Sequence, residues 1–191
     1  MAVSSDEEGP SVGLGQAVPD LDALLARVRA GAALAGSHLH GEHHWRSVAT
    51  VARRLLDEGE PGDPAVVFLF ALLHDCRRVD EGADRLHGRR AAAFTTELDE
   101  TELGLARWQR SMLVVAIGEH TGGRADGRET AAVCFDADRL LLGRVGITPD
   151  PARLATSSAR RQDVRDWADE LEDVADWGEL FVEFTIARDR G

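Results

Sequence analysis

Six side chains in this sequence combine metal-ligand chemistry with apolar surroundings: His44, His74, Asp75, His87, His120 and Asp138. Helical neighbours recur at offsets of three, four and seven positions, and each of the six falls in step with such an apolar stripe. His44 leads Val48, Val51, Ala52 and Leu55, His87 leads Ala91, Phe94 and Leu98, and His120 closes a stripe of Met112, Leu113, Ala116 and Ile117. Asp138 is followed in step by Leu141, Leu142 and Val145. His74 and Asp75 end a run that is apolar on every side, so both are expected to be buried. An ionised carboxylate placed there requires a cation, which either a salt bridge from Arg77 or Arg78 or a metal ion would supply. Taken singly, each histidine also fits a core imidazole satisfied by one backbone bond, or a charge at a helix terminus. Taken together, six N and O donors without a thiolate are the composition of a site for a borderline or hard divalent ion, the class that spans Mn, Fe, Zn, Co, Ni and Mg. His44, His74, Asp75 and Asp138 suffice for one ion; His87 and His120 allow a second, with an Asp75 oxygen bridging.

Two neighbours read differently. His43 has Arg46, Ser47 and Thr50 beside it on the helix and is expected to face outward. Asp136 lies about 200° around the helix from Asp138, so only one of the two is expected to point inward. Asp136 reads instead as an N-cap, or as an acid that orients a ligand or pairs with Arg139.

The elements that must carry these residues all read as helices. A first helix opens at Asp20 and runs toward Gly36; a second covers about 42–58; Asp63-Pro64 supplies an N-cap and a first-turn proline for a third that reaches His74-Asp75. Further helices are expected over about 84–98 and 101–120, then, after a loop at 122–128, over the segment carrying Cys134 to Leu142. Val164, Trp167, Ala168, Leu171, Val174 and Ala175 continue the pattern across 159–175, and Trp177, Leu180, Phe181 and Phe184 follow. No alternation long enough for a strand, no internal repeat and no glycine-rich phosphate loop is present, so the expected fold class is all-α.

Length and composition bound the rest. With 191 residues, 43% hydrophobic and 29% charged, the chain is expected to form a single domain over 20–191, preceded by a mobile tail at 1–19. Asp and Glu outnumber Lys and Arg by 34 to 22, giving a net charge of −12 that disfavours general nucleic-acid binding. Every basic residue is Arg, which removes lysine Schiff-base and Walker-type chemistry. Cys76 and Cys134 form no CxxC pair, the acidic N-terminus is unlike a signal peptide, and the longest apolar run, 65–73, is half a membrane span. A cytoplasmic location is the expectation.

The order His44, His74-Asp75, Asp138 resembles the H…HD…D signature of the HD superfamily of metal-dependent phosphohydrolases, and His87 and His120 match the extra histidines of its two-metal branch. Leu72-Leu73-His74-Asp75, Asp136-Ala137-Asp138-Arg139-Leu140 and the string from His40 to Val48 carry the likeness, which covers about residues 38–148. Where relatives often have an acid after the leucine of that DADRL stretch, this chain has Leu141. The resemblance implies an HD-like helical bundle with additional C-terminal helices, and hydrolysis of a small phosphate ester or nucleotide by metal-activated water. It places Asp75, Asp84 and Arg77 in catalytic roles, Asp84 orienting His87 or relaying a proton, with helix capping as its structural alternative. Arg78, Arg90 and Arg144 are expected at the substrate, where planar guanidinium groups clamp phosphate. The same ligand set also resembles HD-type di-iron oxygenases, and a non-catalytic nucleotide-binding module is a third reading. Trp167, Trp177, Phe181 and Phe184 are expected either to complete the core or to anchor a homodimer.

Overall fold

The computed structural model describes residues 18–188, and every regular element among them is helical. The expected tail lies almost wholly outside the described residues. The main helices are α1 (Leu21–Ala30), α2 (Glu42–Asp57), α3 (Pro64–Leu73), α4 (His87–Glu97), α5 (Glu100–Leu103), α6 (Arg107–Glu119) and α7 (Glu129–Leu140). After two short 3-10 turns, α8 (Ser157–Arg160), α9 (Gln162–Asp169) and α10 (Trp177–Arg188) complete the chain.

Helix α3 is the axis of the bundle. Every side chain from Val66 to Leu73 is buried, and α2, α6, α7 and α10 pack around it. A helix apolar on all sides must lie inside a protein of this size. Its start is set by Asp63, whose carboxylate accepts from the Ala65 and Val66 N–H groups at 3.0 and 3.1 Å and from Gln109 Nε2 at 2.7 Å. The Asp63 N–H in turn donates to Thr130 Oγ1, so one residue ties the starts of α3, α6 and α7 together.

Several expected helices are broken, each for a local reason. The 101–120 segment divides because Gly104 adopts φ +60, a left-handed stop, between buried Leu103 and Leu105. The 159–175 segment divides at Arg161, which is extended, and leaves the helix after Asp169. Beyond that point Asp169, Glu170, Glu172, Asp173 and Asp176 would stack like charges at helical spacing with no cation between them. Trp177, Phe181 and Phe184 close over Phe68, with ring centroids 5.5–5.8 Å away, so these aromatics complete the core. Among the described residues no helix is long and apolar enough to cross a membrane.

Helix α7 corrects the expectation for Asp136. Both Asp136 and Asp138 point into protein, because α7 is buried on two sides rather than one. Asp136 lies in the middle of the helix and accepts from the Ala155 and Thr156 N–H groups and from Thr156 Oγ1 at 2.7–3.0 Å. It therefore straps the chain after α7 back onto the bundle, and neither caps a helix nor orients a ligand.

Replacing Asp63 by Ala removes a cap and a charged hydrogen bond across two helices, and is expected to cost about 2–4 kcal/mol. Urea unfolding of the variant against the native chain measures this.

Candidate metal centre

Three of the histidines are held by one local device. His74 and His120 follow the last residues of α3 and α6, and their Nδ1 atoms lie 3.0 and 2.7 Å from the carbonyls of Ala71 and Ile117, three residues back. His87, at the start of α4, sets its Nδ1 against the Asp84 carbonyl, again three residues back. A carbonyl only accepts, so in the neutral rings Nδ1 carries the proton and Nε2 presents a lone pair.

Those Nε2 atoms meet in pairs, 3.2 Å apart for His74 and His44 and 2.9 Å apart for His87 and His120. Asp75 stands between the pairs and divides its oxygens. Its Oδ1 lies 3.1 Å from His87 Nε2 and 3.7 Å from His120 Nε2, while Oδ2 lies 3.8 Å from His44 and 3.9 Å from His74. Asp138 completes the first group, with Oδ1 3.3 Å from His44 Nε2 and 3.9 Å from His74 Nε2. All six expected ligands are brought together.

The arrangement fits divalent cations. Donors bound to one ion at about 2.0–2.2 Å sit roughly 3–3.5 Å from one another, near the spacings found here. Asp75, His87 and His120 form one group with mutually close ligand atoms, and His44, His74 and Asp75 form another. The lone pairs of His87 and His120 face each other beside a carboxylate, which is repulsive unless a positive charge lies between them. The Asp75 Oδ1 atom is buried without a hydrogen-bond partner.

Electrostatics point the same way. Burial pushes His74 down to about 3, and burial followed by the Arg144 charge lowers His44; burial also lowers His87. These rings stay neutral, as ligands must. Burial alone would raise both carboxyls, but imidazoles reverse it: His74, His120, His40 and His44 hold Asp75 well below the usual range. The His44 and His74 imidazoles beside it and the Arg144 charge do the same for Asp138. Burial opposes charge on His120, yet the Asp75 and Asp138 carboxylates outweigh it and raise that ring. Burial pushes the Cys76 thiol up to about 12, and neither candidate group includes it.

The cluster opens into a cleft of about 620 Å³. Arg78 and Arg144 line it, with Arg78 Nη1 3.9 Å from Asp75 Oδ1 and Arg144 Nη2 3.7 Å from Asp138 Oδ1. Arg77 does not, which corrects its expected role: its guanidinium lies over the Phe94 ring at 3.5 Å and donates to the Val28 and Cys76 carbonyls, pinning α1 to the core. Arg90 is likewise turned away, donating to the Arg77 carbonyl at 3.0 Å and pairing with Asp84. The Asp84 carboxylate, engaged by Arg90 and by the Val79 N–H, neither caps α4 nor reaches the His87 ring; only its carbonyl does. His43 contacts the Glu172 carbonyl, away from the cluster, as its spacing predicts.

His40 is a site residue that stripe reading missed, because it precedes α2 and belongs to no helical pattern. It is buried on the cleft wall, with Nε2 on the Glu81 carbonyl and Nδ1 3.5 Å from Asp75 Oδ2 without a hydrogen-bond partner. Its place in the string before His44 was the available signal.

No protein-family model, no curated protein and no solved structure matches the chain.

Gly88 sits where a Cβ would meet the Ile117 carbonyl at 2.9 Å and the His120 ring at 3.1 Å. Gly88→Ala is therefore expected to part α4 from α6 and weaken ion binding by His87 and His120 about 10–100-fold, the range for disturbed ligand orientation. Metal titration of the variant checks this, with binding by His44, His74 and Asp138 retained. For the chelated protein, the lowered values of His44, His74, His87, Asp75 and Asp138 mean that the unfolded chain takes up protons first as pH falls. Their contribution is complete above about pH 6.5 and is lost on acidification toward pH 3, whereas the raised His120 acts in the opposite sense above pH 6.5. The urea midpoint in chelator is expected to fall steadily between pH 6.5 and 4.5; a flat midpoint contradicts this.

Proposed function

We propose that this protein is a phosphohydrolase of the HD type, cleaving a small phosphate ester or nucleotide at a centre of two divalent ions. The observation that carries the reading is the division of Asp75, one oxygen toward each histidine pair, which is the geometry of a bridging carboxylate. The ordered ligands and their likeness to the two-metal HD branch support it. Divalent ions held there supply Lewis acidity toward a phosphoryl oxygen and make water a nucleophile at neutral pH.

The chain's own residues do the positioning. His44, His74 and Asp138 hold one side, His87 and His120 the other, and the carbonyls of Ala71, Asp84 and Ile117 lock three of the rings in the productive tautomer. Arg144 commits its Nε and Nη1 to the Leu39 and Leu141 carbonyls at 2.7 and 2.8 Å, which leaves Nη2 directed into the cleft. Arg78 is tied in the same way to the Asp80 and Gly82 carbonyls. Guanidinium groups fixed in advance stabilise charge that grows on phosphoryl oxygens without reorganising. This pair of cations favours phosphate chemistry over dioxygen chemistry at the same ligands.

Elemental analysis of protein purified without chelator is expected to find two ions per chain, one after His87→Ala or His120→Ala, and none after Asp75→Asn. Phosphate release from a panel of monoesters and nucleotides is expected to vanish in chelator, to drop about a thousandfold in Asp75→Asn, and to fall about 10–100-fold in kcat/KM in Arg144→Gln. Oxygen consumption in place of phosphate release would assign the centre to an oxygenase instead, and bound ligand without turnover would assign a binding module.

A further inference from the structure

We infer that the substrate carries a second phosphate, held in an adjoining arginine-lined cleft on the far side of Arg139 and Leu154. The inference rests on the phosphohydrolase reading and narrows its substrate class to small molecules phosphorylated at two separated positions. Beside the metal cleft lies a larger one of about 920 Å³, and Thr121, Arg139, Arg153 and Leu154 line both. A phosphoryl group with a small alcohol leaves most of that joint space unfilled, since pockets of roughly 300–1,000 Å³ enclose whole drug-sized ligands.

The second cleft reverses the sign of the protein. On a chain of net charge −12, its wall carries five arginines against Glu60, Asp126 and Glu129. Glu60 is engaged by the Ser157 hydroxyl and the Ser158 N–H, both at 2.6 Å. Of the arginines, Arg128 is committed to Glu119 and to backbone carbonyls, and Arg139 to the carbonyls of Gly123 and Arg153. The other three keep donors open. The Arg124 side chain is 88% exposed with its nearest carboxylate, Asp126, at 3.5 Å, and that of Arg153 is 84% exposed with Asp150 at 3.9 Å. Arg160 fixes its Nε on the Leu154 carbonyl at 2.8 Å, which leaves its terminal nitrogens as a fork facing the cleft. Forked guanidinium donors match phosphate geometry, and the carboxylates beside Arg124 and Arg153 stand at their Nε atoms, which leaves the terminal forks of all three arginines for a ligand beside the phosphoryl site.

The test is calorimetric binding of α,ω-alkanediol bisphosphates of four to ten carbons, each against the alkyl monophosphate of the same length, to the metal-loaded protein. One chain length is expected to bind at least tenfold tighter as the bisphosphate than as the monophosphate. The double change Arg124→Gln with Arg160→Gln is expected to bring that bisphosphate down to the affinity of its monophosphate; the single exposed change Arg124→Gln, which touches no core contact, is expected to remove part of the gain. Equal affinities at every length overturn the second subsite while leaving the phosphohydrolase reading in place, as does a bisphosphate advantage that survives the double change. Failure of both compound classes to bind at all overturns the phosphate reading itself, and the two failures are thereby distinguished.

Discussion

A single buried carboxylate organises this molecule. Asp75 emerges from the end of the most apolar helix in the chain into a nest of imidazoles and leaves its Oδ1 atom without a hydrogen-bond partner. A charge in that position is tolerable only among cations, whether protons or metal ions, and the surrounding helices are arranged to keep such charge there. Helices α2 and α7 and the ends of α3, α4 and α6 each bring a histidine or aspartate to it, so the bundle and the cluster are one construction.

That construction carries a stability cost that a bound cation would offset at the same atoms. His40 Nδ1, His44 Nδ1 and Asp75 Oδ1 are buried without hydrogen-bond partners, each a destabilising feature in a protein that binds nothing. Were a cation held there, the Asp75 oxygen would be among its ligands and that cost would be offset by binding. Stability elsewhere comes from the apolar sheath of α3 and from the Asp63 knot that joins three helix starts. The three rings fixed by carbonyls three residues back give the ligands a definite orientation before any ion arrives, and such preorganisation lowers the cost of binding.

The acidic exterior and the arginine-lined clefts divide the surface by role. Most of the negative charge is spread over solvated helix faces and the run after α9, where it favours solubility. Positive charge is concentrated where the chain turns back after α7, and Asp136 determines that course by strapping residues 155 and 156 to the opposite side of the helix that bears Asp138. One helix thus presents Asp138 to the buried cluster on one face and anchors the wall of the cleft with the other.

Residue type and spacing were enough to identify an all-helical protein, the apolar axis helix and the six histidines and aspartates that cluster, because a polar group on an apolar stripe must point inward whatever the topology. They also placed the Asp63 cap, a signal contained in adjacent residues. Spacing along the chain could not tell which arginines turn toward the ligands: Arg77 and Arg78 are adjacent, yet one stacks on Phe94 and the other lines the cleft. Nor could it show that α7 is enclosed on both sides, that His40 folds under Asp75, or that Gly88 lets α4 approach His120. Those outcomes depend on which surfaces meet across long stretches of chain, and a helical period records only that a face is buried, not what it is buried against.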